Sequence, residues 1–140
     1  MELSAARLFV RDLAQAQHFY GTLLGLPLQA GGTELGFCVF GPSSVQLVVE
    51  PVPLDAPPEE QALVGRFSGL SFAVTSIADE YTRLQACGVT FTGAPEVQHW
   101  GGVLATLGPF GQSSSTGSAA KASPGPCLMR PLPSAILPHD

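Results

Sequence analysis

Few side chains with catalytic or metal-binding chemistry stand at a spacing that such chemistry requires. The three cysteines lie far apart and form no Cys-x-x-Cys pair, which disfavours a structural zinc site and a disulfide framework. The three histidines give no pair with a ligand spacing, and no serine or cysteine has a nucleophile-elbow or Cys–His context. We therefore predict no catalytic residue. The residues concerned are Cys38, Cys87, Cys127, His18, His99 and His139.

The side chains suited to binding occupy alternate positions of strand patterns. Leu8 and Val10 are expected to pack against a helix, so Arg7 should face the opposite side of the first strand. The same alternation applies to the later strands and predicts a small cavity lining of mixed character. The predicted ligand-binding residues are Arg7, Phe9, Phe37, Gln46, Val48, Ser71, His99 and Trp100.

Two of these residues keep an alternative interpretation. An arginine beside aromatic rings suits a planar or anionic small molecule, but Arg7 could instead form a salt bridge with Glu50 across the sheet. His99 and Trp100 are interpreted as neighbours on a strand, so one of the two should face the cavity. His99 then lines the pocket, or it packs at the rim or in a dimer interface.

Composition and charge exclude several classes of protein. The chain has 140 residues, of which 45% are hydrophobic and 12% are charged, so a buried core is affordable and wholesale disorder is not expected. A net charge of −5 argues against nucleic acid or an anionic membrane as the main partner. With no long apolar run and no signal-like N-terminus, a cytoplasmic protein is expected.

The pattern of strands and helices occurs twice. A strand, a helix capped by Asp12 and three short strands make a first module, 1–50, and a second helix capped by Ser76 begins the same order in 67–112. The two caps lie 64 positions apart (76 − 12), as do the strand ends Val10 and Val74 (74 − 10). The last two strands are predicted over 96–100 and 103–107. We therefore predict an α+β fold of two tandem βαβββ modules.

Two segments fall outside the duplicated pattern. Residues 51–66 are acidic and rich in proline, which predicts an exposed connector. Residues 113–140 form a Pro- and Ser-rich tail of low complexity, where the repeat requires a final strand near Ser113. Either an unrelated end has replaced that strand, or the tail supplies an irregular substitute. Because an unpaired sheet edge is costly, we expect the tail or a partner to cover it.

Tandem motifs resemble those of the vicinal oxygen chelate superfamily, which includes glyoxalase I, bleomycin-resistance proteins and extradiol dioxygenases. The matching segments are Leu8-Phe-Val-Arg-Asp-Leu, His18-Phe-Tyr-Gly-Thr-Leu-Leu-Gly, Gly69-Leu-Ser-Phe-Ala-Val-Thr-Ser-Ile and Trp100-Gly-Gly-Val-Leu-Ala-Thr-Leu-Gly-Pro-Phe-Gly-Gln. The resemblance spans 3–112. It implies a curved, mostly antiparallel sheet around a concave cavity with helices outside, and homodimers are common. The modules could pair within one chain or swap between chains.

The resemblance also indicates where metal ligands would stand. The opening-strand ligand falls on Ala5, the fourth-strand ligand on Gln46, the second-module histidine on Gly69, and the last glutamate after Gln112. Only one neutral amide remains, so we expect no metal and no other cofactor. The first hypothesis is a metal-free protein that sequesters a small molecule, as in antibiotic resistance. The alternatives are a metal-dependent lyase, isomerase, thiol transferase or dioxygenase, and a degenerate member that persists only as a folded dimer.

Overall fold

The chain divides into two compact units, one of residues 1–66 and one that begins at residue 67. The computed structural model describes residues 1–41, 44–66, 68 and 70–107 and the backbone of 127–131. Within this part, no helix has the length and apolar composition that crossing a membrane requires. The units are built alike, which confirms the α+β class and the tandem modules.

Unit 1 contains a four-stranded sheet, sheet A, in the order β1-β4-β3-β2. β1 runs parallel to β4, whereas the β2–β3 and β3–β4 pairs are antiparallel. A short helix, α2, lies in the connector that the sequence predicts as exposed. The elements are β1 (Ala5–Val10), α1 (Leu13–Gln17), a π-helical turn (His18–Leu23), β2 (Leu28–Gly32), a 3-10 turn (Thr33–Leu35), β3 (Phe37–Phe40), β4 (Gln46–Pro51) and α2 (Pro58–Gln61).

The first helix changes geometry after its second turn. Asp12 caps α1 as predicted, because its carboxylate accepts a hydrogen bond from the Gln15 backbone N–H. From His18 onward the helix widens into a π-helical turn, where the Leu24 N–H donates to the Phe19 carbonyl. Phe19 and Tyr20 are both buried there and meet edge to face, with ring centroids 5.0 Å apart. A regular α-helix was expected through this segment.

The core of unit 1 lies between the helical segment and one face of sheet A. Tyr20 also packs on Phe40 of β3, and Gly21 approaches the same ring so closely that a Cβ would lie 3.3 Å from it. The buried residues are Val10, Leu13, Ala16, Phe19, Tyr20, Cys38, Phe40, Leu47, Val49 and Val52. Burial of these apolar side chains provides the main driving force for folding of the unit.

Unit 2 contains a second four-stranded sheet, sheet B, in the order β5-β8-β7-β6. Ser76 caps α3 as predicted, since its hydroxyl accepts from the Asp79 N–H. Ile77, Tyr81 and Leu84 of this helix are buried, together with Val103, Ala105 and Leu107. The elements are β5 (Phe72–Val74), α3 (Ile77–Ala86), β6 (Glu96–Val97), β7 (Val103–Leu107) and β8 (Cys127–Pro131).

The tail supplies the missing strand of the second module. β8 lies between β5 and β7, the position that β4 holds between β1 and β3. Its direction is opposite, however, because β8 is antiparallel to β5 and parallel to β7, whereas β4 is parallel to β1. Strands β5 and β7 are antiparallel to each other, so an inserted strand is parallel to one of them in either direction. The tail thus substitutes for the repeated strand by running backwards.

Candidate functional site

Sheet A has one face opposite α1 that remains accessible, and we call it the open face of sheet A. The strand register places Ala5 beside Gln46, Arg7 beside Val48 and Phe9 beside Glu50. These residues alternate with the buried residues of the same strands, as the sequence predicts. The third strand contributes Phe37 and Val39, of which Val39 pairs with Val48. The face therefore carries Ala5, Arg7, Phe9, Phe37, Val39, Gln46, Val48 and Glu50.

A salt bridge crosses this face. The Nη1 atom of Arg7 lies 2.7 Å from Oε2 of Glu50, so the alternative that the sequence leaves open for Arg7 is present. The side chains remain 59% and 35% exposed, and ion pairs of this kind contribute only about 0–1 kcal/mol to stability. Because a guanidinium has five N–H donors, this contact leaves Arg7 further donors toward a ligand.

Glycine geometry fixes the position of Phe37. Gly31 has φ +82°, and a Cβ at this position would collide with the carbonyl oxygen of Phe37. Only glycine therefore allows β2 and β3 to approach this closely. The Phe37 side chain itself is 37% exposed, so its ring offers an apolar surface. The predicted residues Arg7, Phe9, Phe37, Gln46 and Val48 thus share one face.

Sheet B has a corresponding open face, opposite α3. On β7 the buried residues Val103, Ala105 and Leu107 alternate with Leu104 and Thr106, which are half-buried and belong to this face. Ala73 is exposed on β5, and Ser71 is exposed just before that strand. Leu104 and Thr106 are missing from the sequence-based prediction, although the alternation within 103–107 already contained the signal for them.

His99 and Trp100 require a correction. The sequence places them on a strand, whereas β6 ends at Val97 and both residues lie in the turn that leads to β7. The turn is closed by hydrogen bonds from the Gly101 N–H to Gln98 and from the Gln98 N–H to Gly102. Strand alternation therefore does not apply to them. Both side chains are exposed, with Trp100 at 45%.

The donor set does not fit a metal of the kind that the resemblance implies. Ala5 and Gln46, the two positions where the first module should hold such an ion, are direct register partners at the start of β1 and β4. Alanine has no donor atom, and the amide is neutral, whereas divalent ions require several carboxylate or imidazole ligands. No group of three or more His, Cys, Asp or Glu residues suited to a metal occurs in the described ranges. Gly69 and the positions after Gln112 lie outside those ranges.

Burial perturbs two groups behind sheet A. The phenol of Tyr20 and the thiol of Cys38 are both buried, and desolvation raises the pKa of each. Gln17 is nearby, since its Oε1 accepts from the Thr33 hydroxyl at 2.8 Å and from the Cys38 thiol at 3.7 Å. A thiol with a raised pKa is a poor nucleophile at neutral pH, so this cluster is structural.

Comparison with known proteins agrees with this architecture. The sequence model of the Glyoxalase/Bleomycin resistance protein/Dioxygenase superfamily matches residues 3–112. Comparison with the sequences of curated proteins gives no match. Among solved structures, a superfamily member from Sphaerobacter thermophilus has a TM-score of 0.62 and 21% identity, covering 94% of this chain and 97% of its own.

Two similar structures come from Streptomyces sp. CB03234. TnmS3, described as an antibiotic binding protein, has a TM-score of 0.59 and 19% identity and covers 94% of this chain and 96% of its own. A glyoxalase/bleomycin resistance protein has a TM-score of 0.55 and 20% identity, covering 92% and 99%. At such identities these structures support the fold alone. The family match over most of the chain goes further: the protein belongs to the glyoxalase/bleomycin resistance protein/dioxygenase superfamily.

Proposed function

We propose that this protein binds a small organic molecule on the open faces of its sheets and sequesters it without a metal ion. The observation that carries the proposal is the register pair Ala5–Gln46. These residues occupy the position where metal-dependent relatives would hold their ion, and they offer one neutral oxygen. A chain that has lost this donor set retains the fold and its accessible faces, which suit binding more than Lewis-acid chemistry.

The chemistry of the open face of sheet A supports a binding role. Arg7 provides N–H donors, Gln46 provides both a donor and an acceptor, and the ring of Phe37 provides an apolar surface. A few polar groups on an apolar background are typical of sites that recognise small organic molecules. The similar structure TnmS3 is described as an antibiotic binding protein, and we extend that type of function to this chain.

The alternative is a metal-dependent enzyme of the same superfamily, and metal analysis separates the two. The purified protein is dialysed against chelator and then against each of Mg²⁺, Mn²⁺, Zn²⁺, Ni²⁺ and Fe²⁺, and its metal content is measured. We expect well below one retained ion per chain. One tightly held divalent ion per chain would contradict the proposal and favour the enzyme.

A thermal-shift screen tests the binding itself. Glycopeptide antibiotics and polycyclic aromatic compounds are added to the metal-free protein, and the melting temperature is recorded. At a concentration 100-fold above Kd a ligand stabilises the folded state by about 2.7 kcal/mol, which gives a shift of several degrees. The absence of any shift across compounds of suitable size would count against sequestration.

A further inference from the structure

We propose that Arg130, which β8 brings to the open face of sheet B, is a ligand-binding residue that selects an anionic group on the bound molecule. The group is a planar or tetrahedral oxyanion such as a carboxylate, sulfonate or phosphate. This inference rests on the proposed function and adds the chemical class of the ligand. It depends on the unexpected position of the tail strand, which sequence alone did not place.

The strand register assigns Arg130 to this face. β8 pairs with β7 so that Cys127, Met129 and Pro131 stand beside Val103, Ala105 and Leu107, which are buried on the α3 side. Register partners share one face of a sheet. The intervening positions of β8 therefore belong to the open face, with Leu128 beside Leu104 and Arg130 beside Thr106.

The pairing with β5 gives the same assignment independently. Ala73 pairs with Leu128, and Ala73 is exposed on the open face. Continuing the antiparallel register by one residue brings Ser71 level with Arg130. The surroundings of position 130 on this face are thus small or apolar residues and two hydroxyl groups.

The charge pattern favours an anion. Among the described residues, the register neighbours of position 130 carry no carboxylate. Glu96 pairs with Leu104 and stands on the same face, two strands and one row away from Arg130. With ordinary sheet spacings this is about 12 Å between Cα atoms. On sheet A, by contrast, Arg7 already has Glu50 as its ion-pair partner at 2.7 Å.

The two sheets therefore present different chemistry from equivalent strands. β4 brings Gln46 and Glu50 to the open face of sheet A, whereas β8 brings Arg130 to that of sheet B. An arginine fork binds carboxylates and phosphates through two parallel hydrogen bonds. Apolar neighbours such as Leu104 suit the hydrocarbon part of the same molecule. An aromatic carboxylate is thus the simplest probe of this face.

The test compares two naphthalene probes of nearly equal size and opposite charge on the full-length protein. Affinities for 2-naphthoate and 2-naphthylmethylammonium are measured by titration calorimetry for the original chain and for Arg130→Gln, Arg130→Lys and Arg83→Gln. Arg83 is the matched control, because it lies on α3 and pairs with Glu80, so its loss changes the net charge equally. Thermal melts of all variants report whether the fold is retained.

We expect the original chain to prefer 2-naphthoate. Arg130→Gln should weaken 2-naphthoate by about tenfold or more and leave the ammonium probe unchanged, because one charge-assisted contact is lost. Arg130→Lys should retain part of the preference, and Arg83→Gln should retain all of it. The ratio of the two affinities is insensitive to a general loss of folded protein.

Equal effects of Arg130→Gln and Arg83→Gln, no binding of 2-naphthoate, or a preference for the ammonium probe would overturn this inference. If the ammonium probe still binds in these cases, the proposed binding function stands and only the anion preference fails. The proposed function fails separately, if the thermal-shift screen yields no ligand at all.

Discussion

At the scale of single residues, strand alternation is the most informative feature of this chain. It correctly places Arg7 and Gln46 on the open face of sheet A, because a period of two determines which side chains a helix covers. It fails for His99 and Trp100, which lie in a turn where the period does not apply. The Arg7–Glu50 contact could be named as a possibility but not chosen, since both side chains are long and exposed.

The buried tyrosine predicts how stability depends on alkaline pH. Burial raises the pKa of Tyr20 above its ordinary value of 10.0, so the folded state binds a proton that the unfolded state has lost. The stabilising contribution is therefore complete below about pH 10 and decreases above it, by about 1.4 kcal/mol at pH 11. Cys38 acts in the same direction from about pH 9.

Urea denaturation of the original chain and of Tyr20→Phe at pH 8 and pH 11 checks this expectation. The phenylalanine variant cannot ionise, so it should lose less free energy of unfolding between the two pH values, by about 1 kcal/mol. An identical loss in both proteins would show that Tyr20 is not protected from ionisation in the folded state.

At the scale of elements, helix starts were predictable and helix interiors were not. Asp12 and Ser76 are polar residues directly before apolar periodic segments, and both accept a hydrogen bond from the backbone three residues later. The π-helical turn was not predictable, because it is a local response to the burial of Phe19 and Tyr20, two adjacent large rings. Tertiary packing decided that geometry.

The two caps give a matched pair of variants. Asp12→Ala and Ser76→Ala should each lower the free energy of unfolding by about 1 kcal/mol, since each leaves a backbone N–H at a helix start without its side-chain acceptor. Chemical denaturation of both single variants measures the effect. A change below about 0.3 kcal/mol in either would mean that water replaces the cap at no cost.

The tail strand is the element that sequence analysis could not place. The prolines and low complexity of 113–140 hide a five-residue strand, and its reversed direction has no counterpart in the first module. Only the vacancy between β5 and β7, implied by the repeat, indicated that some strand was required there. Its occupant depended on which tail segment could pair with both neighbours.

A proline within β8 tests this strand. Met129→Pro removes a backbone N–H between β5 and β7, so we expect the melting temperature to fall by about 5–10 °C, corresponding to about 2 kcal/mol. Ala119→Pro, in the segment that precedes β8, is the matched control and should have little effect. Deletion of 113–140 should destabilise at least as much as Met129→Pro. An unchanged melting temperature in Met129→Pro and in the deletion would show that β8 does not support sheet B.

At the scale of the whole molecule, duplication explains the architecture and divergence explains the chemistry. Two units repeat one βαβββ plan at an interval of 64 residues, seen in Val10 and Val74. The same repeat leaves Ala5 and Gln46 where an ion would be held, and places a tail strand with an arginine in the second unit. We infer that the fold has been kept while the metal chemistry has been lost.

The most direct test of this account is the affinity for one ligand, identified in the screen, with and without chelator. Titration calorimetry in EDTA and in a millimolar excess of Mg²⁺, Mn²⁺ or Zn²⁺ should give the same Kd, because the contacts come from side chains alone. A ligand that binds only after one equivalent of a divalent ion is restored, and is released again by EDTA, would contradict the account.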